Sequence, residues 1–170
     1  MAQRTSLREY QQTLSERLKT AQDGEVAISK LGIEAGHDYW LLDLADAGEV
    51  IPLPKIVPAP LTKPWFIGVA NVRGNLYGIV DFPAFLGAAP VPQIEHARVL
   101  LLGERHRINV GLLVNRVIGL RQIDRLSEHA AEEPQTAWVA AQYIDPEGRI
   151  WKAIDVGRLV EHPDFLHIEL

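Results

Sequence analysis

The sequence predicts an all-β fold, a barrel or a pair of barrels, and three observations carry the prediction. Short runs of strand length, rich in β-branched and aliphatic residues, recur along the chain between Gly, Pro, Asn and Asp. Beyond residue 25 nothing reads as more than a helical turn or a short capping helix. A strand–turn–strand–Asp module occurs twice. Its clearest copy is Phe66-Ile-Gly-Val-Ala-Asn-Val-Arg-Gly-Asn-Leu-Tyr-Gly-Ile-Val-Asp-Phe82. Gly74-Asn75 has the spacing of a two-residue hairpin turn, where positive φ is required. Asp81 ends the second run and reads as the N-cap of a short helix over Phe82–Leu86. Leu76–Leu86 aligns with Ile150–Val160 at an offset of 74, and Leu41–Val50 with Gly111–Leu120 at an offset of 70.

The elements follow in order. Residues 6–22 read as an amphipathic helix: Ser6-Leu-Arg-Glu9 is a capping box, and Leu7, Tyr10, Leu14, Leu18 and Ala21 share one face. Such a helix is marginal alone and needs a surface to lie on. Strands are expected over 28–34 and 39–44, then one helical turn at Asp46-Ala-Gly-Glu49 and a strand over 50–57. Prolines at 52, 54, 58, 60 and 64 make that last strand an edge or an irregular crossover. The signature hairpin follows, and 87–93, with Pro90 and Pro92, is the natural boundary between the copies. Strands over 97–102, 108–114 and 117–121, a polar loop over 123–136, a hairpin over 138–154 and a short helix over 155–161 complete the reading. The division is thus an N-terminal helix (1–25), a first barrel (about 26–90), a second barrel (about 91–160) and a tail (161–170).

With 17 basic against 22 acidic residues the chain carries −5, and no Lys/Arg cluster dominates a segment, which argues against nucleic acid. There is no cysteine, and no apolar run approaches a membrane span, so membrane insertion is not expected and the expected location is cytoplasmic. The six histidines lack metal-ligand spacing and read as surface residues. The four serines lie outside any nucleophile elbow. Asp43, Asp46 and Glu49, and likewise Glu132 and Glu133, read as a solvated face rather than a general acid–base pair. Asp81 and Asp155 read as caps. No catalytic residue, metal or cofactor is expected. In the hairpin strand, Tyr77 and Ile79 face opposite Leu76, Gly78 and Val80, so the strand is either central or covered by a partner.

Gly68-Val-Ala-Asn-Val-Arg-Gly-Asn75, followed by Ile79-Val-Asp-Phe82 and Phe85-Leu-Gly87, resembles the CheW family of chemotaxis coupling proteins. The family hallmark is a Gly-Val-x-Asn-Leu-Arg-Gly turn ahead of an aliphatic-Asp-Leu strand end. Gly111-Leu-Leu-Val-Asn-Arg-Val117 is similar to the family's second-half strand, and Ala45-Asp-Ala-Gly-Glu-Val50 to its Val-x-Glu-aliphatic segment. Pro64-Trp-Phe66 and Asn71–Tyr77 look most like the PilI-like branch, which serves type IV pili and twitching motility. The resemblance spans about 26–160. Ala140-Ala-Gln-Tyr-Ile144 departs from it where the family carries glycines.

The resemblance implies two SH3-like five-stranded barrels sharing a hydrophobic core, and a protein that is not an enzyme. It implies an adaptor between a methyl-accepting chemoreceptor's cytoplasmic tip and the regulatory domain of a CheA-type histidine kinase. Motif by motif it nominates Glu49, Gly68, Asn71, Arg73, Gly74, Gly111, Val117 and Leu120 as partner-binding residues. The rival readings are a flagellar chemotaxis adaptor and, in another class, a small-molecule-binding β-barrel or hydrolase.

Overall fold

The structure is a computed structural model that describes residues 28–92, 95–131 and 136–170. The helix read over 6–22 lies outside the described residues. Eleven strands are described: β1 (Ser29–Ala35), β2 (Asp38–Asp43), β3 (Ala47–Pro52), β4 (Phe66–Val72), β5 (Asn75–Asp81), β6 (Arg98–Leu102), β7 (Val110–Val114), β8 (Arg116–Gln122), β9 (Ser127–His129), β10 (Val139–Ile144) and β11 (Ile150–Ile154). Three short helices accompany them: α1 (Phe82–Phe85), α2 (Val156–Glu161) and α3 (Pro163–Leu166). One sheet has the order β8-β1-β2-β11-β10-β9, the other β3-β6-β7-β5-β4. The mainly β class with two sheets is the architecture the sequence predicts, and the three-residue β9 makes one sheet six-stranded.

The sheets do not follow the expected division of the chain at residue 90. The first half gives β1 and β2 to the six-stranded sheet and β3–β5 to the other. The second half completes each. The halves meet through four ladders, two parallel (β2 with β11 and β5 with β7) and two antiparallel (β1 with β8 and β3 with β6); every other ladder is antiparallel. A local repeat reveals the unit but not which copy's strand lies beside which.

The repeat itself is reproduced in the register. Gly78 pairs with Val110 across the parallel contact of one sheet. Shifting Gly78 forward by 74 and Val110 back by 70 gives Lys152 and Trp40, the pair at the same place in the other. Likewise Val50 faces Leu100, and Leu120, 70 residues on from Val50, faces Leu31. Even the bulges correspond. β3 slips between Ala47 and Glu49, and β8 slips between Val117 and Gly119. β4 slips between Phe66 and Gly68, and β10 between Val139 and Ala141.

Period-two alternation then builds three apolar layers. Trp40, Leu42, Val80, Leu100, Leu112 and Ile154 point between the sheets and form the shared core with Phe82, Trp138 and Leu159. Their neighbours point the other way. Leu41, Trp151 and Ala153 fill the six-stranded sheet's own interior, and Ala70, Ile79, Val99 and Leu113 fill the other's. β5 lies between β7 and β4, so it is central, and Tyr77 packs with the second of these interiors.

Several local expectations are corrected. The hairpin turn is Arg73-Gly74, because Val72 pairs with Asn75. Asp46–Glu49 forms no helical turn: β3 starts at Ala47 because its main chain completes the edge of β6. That strand stops at Pro52, and of the proline-rich stretch after it only Val57 rejoins the sheet, bridging Val69. The tail is ordered by α3 and by a bridge between Glu169 and Thr62. Asp46 and His106 are not solvated: Asp46 Oδ1 lies 2.7 Å from His106 Nε2, and their side chains are 4% and 8% exposed. Arg105 joins the same carboxylate at 2.8 Å. Together they tie the β2–β3 turn to the β6–β7 connection.

Asp81 and Asp155 cap their helices, accepting from Ala84 N–H and Arg158 N–H at 3.0 Å each. Asp81 is the more deeply engaged. Its second oxygen accepts from Val91 N–H at 2.9 Å, which draws the segment 87–92 onto the sheet. Burial pushes its carboxyl above the ordinary range, against the pull of the Ala84 and Val91 N–H groups. Ionised Asp81 therefore costs the folded state something that is absent below the ordinary carboxylate pKa and grows as pH rises through the folded value. Asp81→Ala removes a cap and strands Val91 N–H, and should cost about 2–4 kcal/mol. Asp155→Ala, at a more exposed cap, should cost about 1 kcal/mol. Urea denaturation of both variants checks the difference, and equal losses would contradict it.

Candidate functional site

The β4–β5 hairpin projects its turn beyond the end of the five-stranded sheet. Arg73 and Gly74 have φ of 53° and 87°, the left-handed pair that a two-residue hairpin with the sheet's twist demands. Glycine adopts this at no steric cost; for an arginine it costs about 1–2 kcal/mol. Asn71 holds the turn by accepting Gly74 N–H on Oδ1 at 2.9 Å. The guanidinium of Arg73 then lies flat against Glu49, donating from Nη1 to Oε2 at 2.7 Å and from Nη2 to Oε1 at 2.5 Å.

That ion pair crosses a seam. β3 and β4 are the two edges of the same sheet, and Glu49 stands on the first while Arg73 follows the second. A backbone bridge closes the seam lower down, with Val57 and Val69 exchanging N–H···O bonds of 2.8 and 2.9 Å. The side chains of Arg73 and Glu49 are 75% and 40% exposed. A pair so exposed contributes about 0–1 kcal/mol to stability. Its larger effect is to aim a cation in a fixed direction. Beside it lies a hollow of about 290 Å³ lined by Glu49, Val72, Arg73, Tyr77 and Glu104. Leu76, cross-strand from Asn71, and Val50, next to Glu49, leave apolar surface open to solvent.

The structure thus brings together four of the eight nominated residues: Glu49, Asn71, Arg73 and Gly74. Gly68 serves the seam. Its φ is 136°, and a Cβ there would stand 2.2 Å from Val57 O, so no side chain fits under the bridge. Gly111 is buried in β7, where a Cβ would meet Val99 Cγ1 at 2.5 Å. Val117 is half-buried against the shared core, and Leu120 is exposed on β8, the edge of the other sheet.

The sequence signature of the CheW-like domain matches residues 30–164. The chain belongs to the CheW-like domain family. Among its relatives, Protein PilI of Pseudomonas aeruginosa is 28% identical over 153 residues, which span 89% of this chain and 85% of that protein. Chemotaxis protein CheW of Thermotoga maritima is 23% identical over 145 residues, 85% of this chain and 95% of its own length. The crystal structure of the scaffolding protein TtCheW from Thermoanaerobacter tengcongensis shares the fold, with a TM-score of 0.66 at 19% identity over 81% of this chain and 95% of that one.

Within this CheW-like chain, sequence reasoning passes over two surface residues at the hairpin site, Leu76 and Val50. The second had a signal: the offset of 70 places Val50 opposite Leu120, a residue that was nominated. Leu76 had none, because an apolar residue in a strand reads as core until its face is known. The glycines separate by what they touch. Gly68→Ala drives a methyl group into main chain at an unfavourable φ, whereas Gly111→Ala meets side-chain ends that can shift. We expect a loss of about 1–3 kcal/mol for Gly111→Ala and a larger one for Gly68→Ala, read from chemical denaturation midpoints. The reverse order would contradict the placement of Gly68 at the seam.

Proposed function

We propose that this chain is a cytoplasmic, non-catalytic adaptor that couples a chemoreceptor's cytoplasmic tip to the regulatory domain of a CheA-type histidine kinase in a type IV pilus pathway. One observation carries the reading: Arg73 is a pre-aimed, exposed cation at a hairpin tip, flanked by the exposed Leu76 and Val50. A fixed charge beside apolar surface is how a protein–protein contact sets register and draws affinity from its neighbours. The likeness to a protein named PilI over 89% of the chain supports the pilus branch. The words chemotaxis and scaffolding in the names of other relatives support the adaptor role. Leu120, on the outer edge of the six-stranded sheet, supplies a second apolar contact for the other partner.

The test uses purified kinase regulatory domain and a receptor-tip fragment, presented singly and together. Arg73→Glu should weaken capture of at least one partner by about tenfold or more while the circular dichroism spectrum is unchanged. The reciprocal variant, Arg73→Glu with Glu49→Arg, rebuilds an ion pair across the seam with reversed sign and should still fail to bind. Recovery in the double variant would mean that Arg73 acts only by closing the seam. Unchanged capture of both partners by the single variant would remove Arg73 from the contact.

A further inference from the structure

The mouth of the six-stranded sheet is the repeat's counterpart of the hairpin site, and its charges are arranged differently. Trp151 and Arg149 stand 74 residues on from Tyr77 and Asn75. The place of Glu49, 70 residues on, is taken by Gly119, which has no side chain to offer. Around a cavity of about 570 Å³ stand three arginines from three different elements. They are Arg121 on β8, Arg125 on the helical turn after it, and Arg149 in the turn that leads into β11.

Two of them are fixed in place. The Arg121 guanidinium lies over the Trp151 ring at 5.3 Å and donates from Nη1 to Leu120 O at 3.0 Å. Arg149 lies over Tyr39 at 4.6 Å. Among the described residues none of the three is held in an ion pair, and the Arg125 side chain has no partner at all. Asp145, which also lines the cavity, is occupied elsewhere. Its oxygens accept from Arg149 backbone N–H at 2.8 Å and Trp151 Nε1–H at 2.9 Å. Burial works to raise this carboxyl, but those bonds, the charge of Arg149 and the Glu147 N–H hold it below the ordinary range. It therefore stays ionised and committed to the hairpin. Glu147, exposed on the rim, is the other acid present.

We propose that this cavity binds a phosphate-bearing small molecule between pyrophosphate and a nucleotide in size. Guanidinium forks match phosphoryl oxygens two at a time, and three forks from three directions suit a tetrahedral polyanion better than one planar carboxylate. The volume falls in the range of small-molecule sites, about 300–1,000 Å³. Leu120, Leu126 and Pro146 add apolar wall for the organic part of a ligand. This inference uses none of the residues at the hairpin tip and shares only Leu120 with the adaptor reading.

Titration of the full chain with pyrophosphate, and separately with ATP and GTP, followed by amide chemical shifts, tests it. The expected result is saturable binding of pyrophosphate or a nucleotide, with shifts gathered at 119–126 and 145–151. Arg125→Gln should weaken that binding by about tenfold or more, and Arg73→Gln, at the other mouth, should leave it unchanged. Among the described residues Arg125 has no side-chain partner to lose, so this variant is expected to fold. Saturation by pyrophosphate alone would identify a free phosphate group as the ligand, and tighter binding of one nucleotide would identify the organic part as read by the apolar wall. No saturation by about 10 mM of any of the three would overturn the proposal. So would equal weakening by Arg73→Gln, or binding of a Glu-rich peptide without binding of phosphate.

Discussion

The two parallel contacts, β2 against β11 and β5 against β7, are what the rest of the molecule depends on. Each joins a strand from one half of the chain to a strand from the other. Neither half can complete a sheet alone, because the first gives away its opening hairpin and receives β6 and β7 in return. Parallel neighbours cannot be joined by a tight hairpin, so each contact requires a crossover through the rest of the molecule. They lie at the middle of each sheet and fix the register outward on both sides. With the centres fixed in this way, one face of each sheet turns to the shared core and the hairpin tips are left at the far ends, free of the packing. The fold thereby supplies two rigid platforms with exposed tips, which is what an adaptor requires.

The equivalence of the two units is a property of the backbone, and the side chains exploit it in opposite senses. In one interior the large Leu41 pairs with the small Ala153; in the other the absent side chain of Gly111 pairs with the large Ile79. Each interior is filled, but from opposite strands, as alternation of large and small residues across facing positions requires. The same inversion holds at the mouths. Glu49 neutralises Arg73 at one, and at the other Gly119 puts no acid in the equivalent place beside three arginines. A duplicated backbone thus presents two chemically distinct ends.

What was legible in the sequence was whatever is local. The repeat offsets, the caps at Asp81 and Asp155 and the signature hairpin all follow from residues a few positions apart. What was not legible depends on distant partners. The Asp46–His106 contact joins residues 60 apart, so an acid in a turn reads as solvated until the β6–β7 connection closes over it. The exchange of strands between halves is hidden for the same reason. The turn was misplaced by one residue because Gly74-Asn75 and Arg73-Gly74 both place a glycine where positive φ is needed. Only the pairing of Val72 with Asn75 decides between them. At the site, the residues around the hairpin were found because they adjoin one motif. The arginines of the other mouth were missed because they come from three elements.

The residue at position 73 is hard to explain by folding alone. The turn needs left-handed φ at both central residues, and Gly or Asn adopts it more readily than arginine. Asn71 already takes the Gly74 N–H, so the hairpin is held without the arginine side chain. The bond to Glu49 lies in solvent, where such a pair contributes about 0–1 kcal/mol, no more than the conformation costs. The Val57–Val69 bridge closes the seam by main chain whatever stands at 73. A strained, exposed arginine whose direction is fixed by two hydrogen bonds repays little in the stability of the fold. The adaptor function proposed above gives it a reason, a partner surface that reads both the charge and the apolar residues beside it.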